Sequence, residues 1–247
     1  MDTVVKTSVV LFGVVEENSN NYRKLSKKCL SVLLVKNNGV YELPSYVCNE
    51  CLTLDEQSVK AINDSTGLHD LYVEQLYTFS CVKDNILNIN PTHLGLISKD
   101  KMYGGLKENC HWSKLEIEEN SDGYTCFVIN DVDKFCFRVS KKLKEHTTDR
   151  YKFSEEEKGL LESGVGVVLI AAFERLRNKA FYTDIVFNMM GEKFTLKELQ
   201  NVYEAIENKK LLDAAFRRII ADKVDETEEY LKGIGCRPSK LFKYKEK

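Results

Sequence analysis

The sequence lacks most of the features that would send a chain to a membrane, a secretory route or a polyanion. Its 36 basic and 38 acidic residues leave a net charge of -2, so overall charge selects neither nucleic acid nor a membrane surface as partner. No apolar run reaches the ~18 residues that crossing a bilayer requires, and no membrane partner is expected. The opening MDTVVKTSVVLFG has no basic stretch leading into a hydrophobic segment and a cleavage site, unlike a secretory signal. There is no internal repeat and no low-complexity segment. The eight cysteines are therefore read as reduced thiols of a cytoplasmic protein. Cys48 and Cys51 could be drawn with Cys110 and His111 as a zinc site, but a lone Cys-x-x-Cys without a second paired knuckle is a weak signal. Idle or buried thiols are expected instead, with no metal and no cofactor.

What is present is a chain of 247 residues with 43% apolar content, enough for a core and suited to two modest domains. The first half reads as strands: SVVLFGVV, CLSVLLVK, YVEQLYTFSCV, YTCFVIN and KFCFRVS are β-branched and aromatic runs bounded by polar, Asn-rich segments. Between them LTLDEQSVKAINDSTGL favours a helix over 53–65, with Leu54, Val59 and Ile62 near helical spacing and Gly67 as its stop. Past Arg150 the pattern turns helical, and Ser154 followed by three glutamates offers an N-terminal start for the long apolar helix in GLLESGVGVVLIAAFERLRNKA. The expected domains are 1–150 and 151–247. The second runs helix, helix, short turn, helix and then a β-rich end, the order of a winged helix-turn-helix.

Residues 43–68, LPSYVCNECLTLDEQSVKAINDSTGL, resemble the Nudix box, in which Gly, five residues, Glu and seven residues precede Arg-Glu-apolar-x-Glu-Glu-x-Gly-apolar. Aligned on Gly67 and Leu68 without a gap, the motif glycine falls on Tyr46 and the first glutamate on Leu52. The arginine falls on Lys60, and the three clustered glutamates on Ala61, Asp64 and Ser65. In the family those glutamates share one helix face, where they hold Mg²⁺ against a diphosphate. A hard divalent cation needs several oxygen ligands, and one aspartate out of three does not assemble them. The resemblance therefore implies a Nudix-like α/β sandwich that has kept its frame and lost its catalysis. The alternative is a divergent Nudix hydrolase of nucleoside diphosphate derivatives, in which Asp64 is helped by Glu50, Asp55 or Glu74. LYVEQLYTF, residues 71–79, resembles the segment that follows the box in Nudix-related transcriptional regulators.

FTLKELQNVYEAI, FRR and RPSKLFKY resemble, in order and spacing, the winged-helix domain of the NrtR regulators and their sugar-responsive relatives. That resemblance implies a homodimer that binds double-stranded operator DNA and senses a small-molecule effector, whether ADP-ribose, another nucleotide or a pentose. The residues fit such a role. Thr195 and Glu198 form a capping box for a helix over 196–208, and Lys209 and Lys210 make the turn into the next helix. There Leu212, Phe216, Ile219 and Ile220 are expected inside, leaving Asp213, Ala214, Arg217 and Ala221 on the outer face with Arg218 at its margin. Arg217 and Arg218 suit contact with guanine edges or phosphates, against the plainer reading of a solvated helix paired to Asp213 or Asp222. At the wing, Pro238 stiffens the hairpin tip, Arg237 suits a minor groove, and Lys240 and Lys243 suit phosphates, while Phe242 and Tyr244 pack inward. The acids of DETEEY, residues 225–230, stand close by and oppose DNA. Residues 165–176 are a candidate dimer contact or, as readily, a helix buried between the two domains.

Overall fold

The computed structural model describes residues 2–17, 27–143, 151–157, 159–231 and 238–245. The β-branched runs of the first half pair around β1 (Asp2–Glu17), which runs antiparallel to β2 (Lys27–Asn37) and to the short β4 (Ser45–Val47). On its other side β1 is parallel to β6 (Ile86–Leu96), with Val9 opposite His93. β3 (Val40–Glu42) folds back on β2 through Asn38 and Gly39, whose positive φ values of 49° and 81° suit a tight hairpin. β5 (Tyr72–Lys83) pairs with β6 through a similar turn at Asp84 and Asn85. β7 (Cys110–Asn120), β8 (Gly123–Ile129) and β9 (Lys134–Leu143) continue the sheet antiparallel from β2.

The sheet does not stop at residue 150. β10 (Tyr151–Glu157) pairs antiparallel with β9, so Ser154 lies within a strand and starts no helix. Long-range backbone pairing prevails there over a local capping signal that has no periodic apolar run directly behind it. The long helix α2 (Val165–Ala180) begins instead after Gly164, which takes φ +86°.

Alternation along the strands gives the sheet two apolar faces. Val9, Leu11, Leu33 and Val35 face α1 (Leu54–Thr66), which contributes Ala61 and Ile62. Val10, Phe12, Leu30 and Val32 face the other way, toward α2 and α3 (Leu196–Glu207). α1 starts where expected, with Thr53 and Glu56 forming a reciprocal capping box. It turns Ile62 inward, but Leu54 and Val59 are exposed and Gln57, Ser58 and Thr66 are buried in their place. Gln57 can be buried because Thr7 Oγ1 donates to its Oε1 at 2.7 Å while its Nε2 donates to the Leu52 carbonyl at 2.9 Å. α2 buries Val168, Leu169, Ala172, Phe173 and Leu176 within the chain, which leaves its apolar stripe no free surface for a dimer contact.

A short 3-10 helix, Ile185–Met189, leads to α3, α4 (Asp213–Ile220) and the wing formed by β11 (Val224–Leu231) and β12 (Ser239–Tyr244). Residue 194 ties the wing to the start of α3, because Phe194 and Phe242 exchange backbone hydrogen bonds at 2.9 and 2.8 Å. Gly67 closes α1 at φ +81°, and a Cβ there would collide with the Gly105 carbonyl oxygen. Gly67→Ala is expected to destabilise the fold by about 1–3 kcal/mol, read as a lower denaturant midpoint; an unchanged midpoint would remove this contact from the account.

Candidate functional site

The box residues lie where α1 meets β4, and each makes a structural contact. Ala61 is 0% exposed, packed in the core beneath the sheet. Ser65 Oγ accepts from the Ser45 backbone N–H at 3.3 Å and donates to the Ser45 carbonyl at 3.2 Å, which pins the entry to β4. Lys60 Nζ lies 3.5 Å from Asp64 and 3.8 Å from Glu50, and 5.4 Å from the centroid of the Tyr46 ring. Asp64, ahead of Glu50, raises the Lys60 pKa and keeps it charged. Leu52 is half-buried, its carbonyl held by Gln57.

The acids that could replace the missing ligands do not converge. Glu50 and Asp64 share Lys60, and Asp55 is 95% exposed at the start of α1. Glu74 is engaged elsewhere, accepting from Lys179 Nζ at 2.6 Å and from the Tyr72 hydroxyl at 2.7 Å. Among the described residues no three His, Cys, Asp or Glu side chains are grouped to hold a metal ion. The zinc drawing fails on strand parity: Cys110 donates to the Ser65 carbonyl at 3.4 Å on the α1 side, while its neighbour His111 meets the Tyr41 ring on the opposite face.

Sequence reasoning passed over His93. It sits on β6 at 1% exposure, with neither ring nitrogen hydrogen-bonded and Nε2 3.9 Å from Asp55 Oδ1. Burial pushes its pKa down, only partly opposed by Asp55. The one available signal was a histidine inside the apolar run THLGLI.

In the second half, α3 carries the expected capping box, with Glu198 N–H donating to Thr195 Oγ1 at 3.1 Å and Thr195 N–H to Glu198 Oε2 at 2.8 Å. α4 packs Phe216 against Tyr203, edge to face at 5.3 Å, with Ile220 buried beside them. Two residues expected inside are not: Leu212 is 80% exposed and Ile219 44% exposed. Two buried positions four apart fill the contact of this eight-residue helix, and Leu212 precedes it as its cap residue. Asp213 is exposed as expected, its Oδ1 accepting from Gln200 Nε2 at 2.9 Å. Arg217 and Arg218 are both exposed and form no ion pair among the described residues, and Arg218 rather than Arg217 stands opposite Phe216.

At the wing, Pro238 is exposed at the entry to β12 and Lys243 is exposed opposite Asp225. Lys240 is paired to Glu226 across the hairpin, and that contact raises its pKa. Arg237 lies outside the described residues. Tyr244 packs on Phe187 at 4.5 Å and donates to Asp184 at 3.0 Å, so it points inward as expected. Two wing acids are occupied, Glu226 by Lys240 and Glu229 by Lys193 at 2.5 Å.

Two measurements test this geometry. Ala61→Glu, which restores a motif acid, is expected to cost about 3 kcal/mol or more because it buries a carboxylate in an apolar core, and to gain no Mg²⁺-dependent stabilisation. A magnesium-induced rise in its denaturant midpoint would contradict the packing. His93 is depressed in the folded state, so as pH falls below about 6.5 the unfolded chain takes up a proton that the folded chain refuses. Stability is thus complete above that pH and declines toward the folded value. His93→Gln should flatten the decline in urea midpoints, and an identical pH slope in the variant would assign the effect elsewhere.

Comparison with known proteins places these features. Residues 186–244 match the NrtR DNA-binding winged helix domain. A curated relative, the ADPR responsive transcriptional repressor NtrR of Acinetobacter baylyi, is 42% identical over 78 residues, a match covering 31% of this chain and 31% of that repressor. In fold, the chain resembles a MutT/nudix family protein from Enterococcus faecalis, with a TM-score of 0.69 and 17% identity over 99% of this chain and 87% of that one. It likewise resembles Shewanella oneidensis NrtR complexed with a 27mer DNA, with a TM-score of 0.61 and 19% identity over 98% of this chain and 93% of that one. The chain therefore carries an NrtR-type winged helix domain at 186–244, and its overall fold, a Nudix-like domain followed by a winged helix, is like that of full-length NrtR.

Proposed function

We propose that the protein is a cytoplasmic, homodimeric transcriptional regulator whose Nudix-like domain binds an effector without hydrolysing it and whose winged helix binds operator DNA. The observation that carries this reading is the exposed Arg217 and Arg218 on α4, which form no ion pair among the described residues, within a segment that matches the NrtR DNA-binding domain. The sensor comprises the sheet through β10 with α1, and the reader comprises 186–244, with α2 joining them. The relative named as an ADPR responsive repressor favours ADP-ribose as the effector and repression as the outcome.

In mechanism, an effector that prefers one arrangement of sheet and reader shifts operator affinity by the same factor by which operator shifts effector affinity. Two copies are needed because two-fold operators present half-sites one helical turn apart. Arg217 and Arg218, with Ala214 and Ala221 beside them, allow close approach to a major groove, and Arg237, Pro238, Lys240 and Lys243 contribute the wing contacts. Lys240 must exchange Glu226 for a phosphate to do so. The hydrolase reading loses support because Lys60 is committed to Asp64 and Glu50, and because Ala61 is core.

Selection of bound genomic fragments should recover an operator. Arg217→Ala and Arg218→Ala should each weaken binding to it by about 1–3 kcal/mol where they touch bases, with Arg218 the larger effect. Failure to retain any genomic DNA at low salt, with and without ADP-ribose, would defeat the proposal. So would Mg²⁺-dependent turnover of ADP-ribose that is lost in Asp64→Ala.

A further inference from the structure

A cleft of about 420 Å³ lies between the sheet and the winged helix. Its floor is residues 28–30 of β2 and 114–118 of β7, and its roof is the C-terminal half of α3 with the turn that follows, residues 201–210. Leu30, Leu115 and Ile117 belong to the core on the α2 side of the sheet, so the cleft opens on the face opposite α1 and is separate from the box.

Strand parity and pairing together decide its charge. On β7, Leu115 and Ile117 point toward the cleft, so the alternating Lys114, Glu116 and Glu118 project to the other face, where Lys114 and Glu116 pair at 2.7 Å. Glu204 in the roof is 8% exposed and satisfied, accepting from Lys210 Nζ at 2.6 Å and from the Leu211 N–H at 3.1 Å. The cations that remain are Lys28 and Lys209, neither of which makes a hydrogen bond or ion pair among the described residues. Lys28 shares the parity of Leu30 and is half-buried; desolvation lowers its pKa, and Glu198 and its cross-strand neighbour Glu16, itself bound to Lys99 at 2.9 Å, oppose this without forming an ion pair with it. The half-buried amide of Asn201 also lines the roof and is likewise uncommitted. A desolvated, unpaired ammonium facing a polar cavity is costly unless an anion completes it.

We propose that this inter-domain cleft is a ligand site for a phosphate-bearing small molecule of nucleoside monophosphate size or less, with Lys28, Asn201 and Lys209 as its donors. The volume falls in the range of small-molecule sites. A ligand gripped by β2 on one side and α3 on the other fixes the angle between sheet and reader. α3 carries α4 through Tyr203 and Phe216, so occupancy of the cleft repositions the arginine face.

Calorimetric titration of the full chain tests this, with ribose 5-phosphate and AMP as probes and ribose and adenosine as their uncharged counterparts. The phosphorylated probes are expected to bind and the uncharged ones not. Lys28→Gln should weaken binding by about tenfold, the loss of one charge-assisted hydrogen bond, and Asn201→Ala should weaken it by a smaller factor. Lys28→Gln removes an unpaired, desolvated charge and is expected to unfold at or above the wild-type temperature, so loss of binding in it is not loss of fold. Absence of binding by both phosphorylated probes at millimolar concentration would overturn the proposal, as would equal affinity in wild type and both variants. The site does not depend on operator recognition: binding of probe without retention of genomic DNA would keep it while defeating the regulator reading.

Discussion

Burial of one face of the sheet beneath α2 and α3 is the constraint on which the rest of the molecule depends. Val10, Phe12, Leu30 and Val32 from the strands, Leu169, Phe173 and Leu176 from α2, Val202 and Tyr203 from α3 and Phe216 from α4 form a single apolar cluster. Each fully buried side chain of this kind contributes about 1.5–3 kcal/mol, far more than a surface ion pair, so the position of the winged helix is set by packing. Charged contacts then fix the direction of α2. Lys141 pairs with Glu174 at 3.1 Å, Arg177 with Glu119 at 3.0 Å and Lys179 with Glu74 at 2.6 Å, so the C-terminal end of the helix is strapped to β9, β7 and β5. The Tyr124 hydroxyl joins Glu174 from β8, and burial beside that carboxylate pushes its pKa up and keeps it protonated as a donor.

The opposite face explains why a box stripped of its acids keeps its frame. α1 closes the second core with Ala61 and Ile62, and its cap, its glycine stop and its Ser65 contact to β4 all serve that closure. A helix needed for packing is retained whether or not it holds a metal. Ala61 is packed in that core, and Lys60 lies between the two acids that remain beside it, Asp64 and Glu50.

A shared core also joins the two halves of the chain. The sheet and α4 are linked through α3 by contiguous packing. The cleft above β2 and β7 is lined by the sheet and the winged helix together.

The amino-acid sequence by itself determined whatever rests on neighbours within a few residues. The capping box at Thr195, the helix start near Thr53, the stop at Gly67, the β-branched strands and the spacing and degeneracy of the box were all legible there, because those hydrogen bonds and periodicities are local. The tertiary structure alone decided that Tyr151–Glu157 joins β9, that α2 is consumed inside the chain, and that Leu212 and Ile219 face solvent while Asp213 is held by Gln200. It alone also left His93 buried with neither ring nitrogen hydrogen-bonded and Lys28 desolvated. Strand pairing, desolvation and the choice of which helix face meets a core depend on residues tens to a hundred positions apart, and no local pattern encodes them.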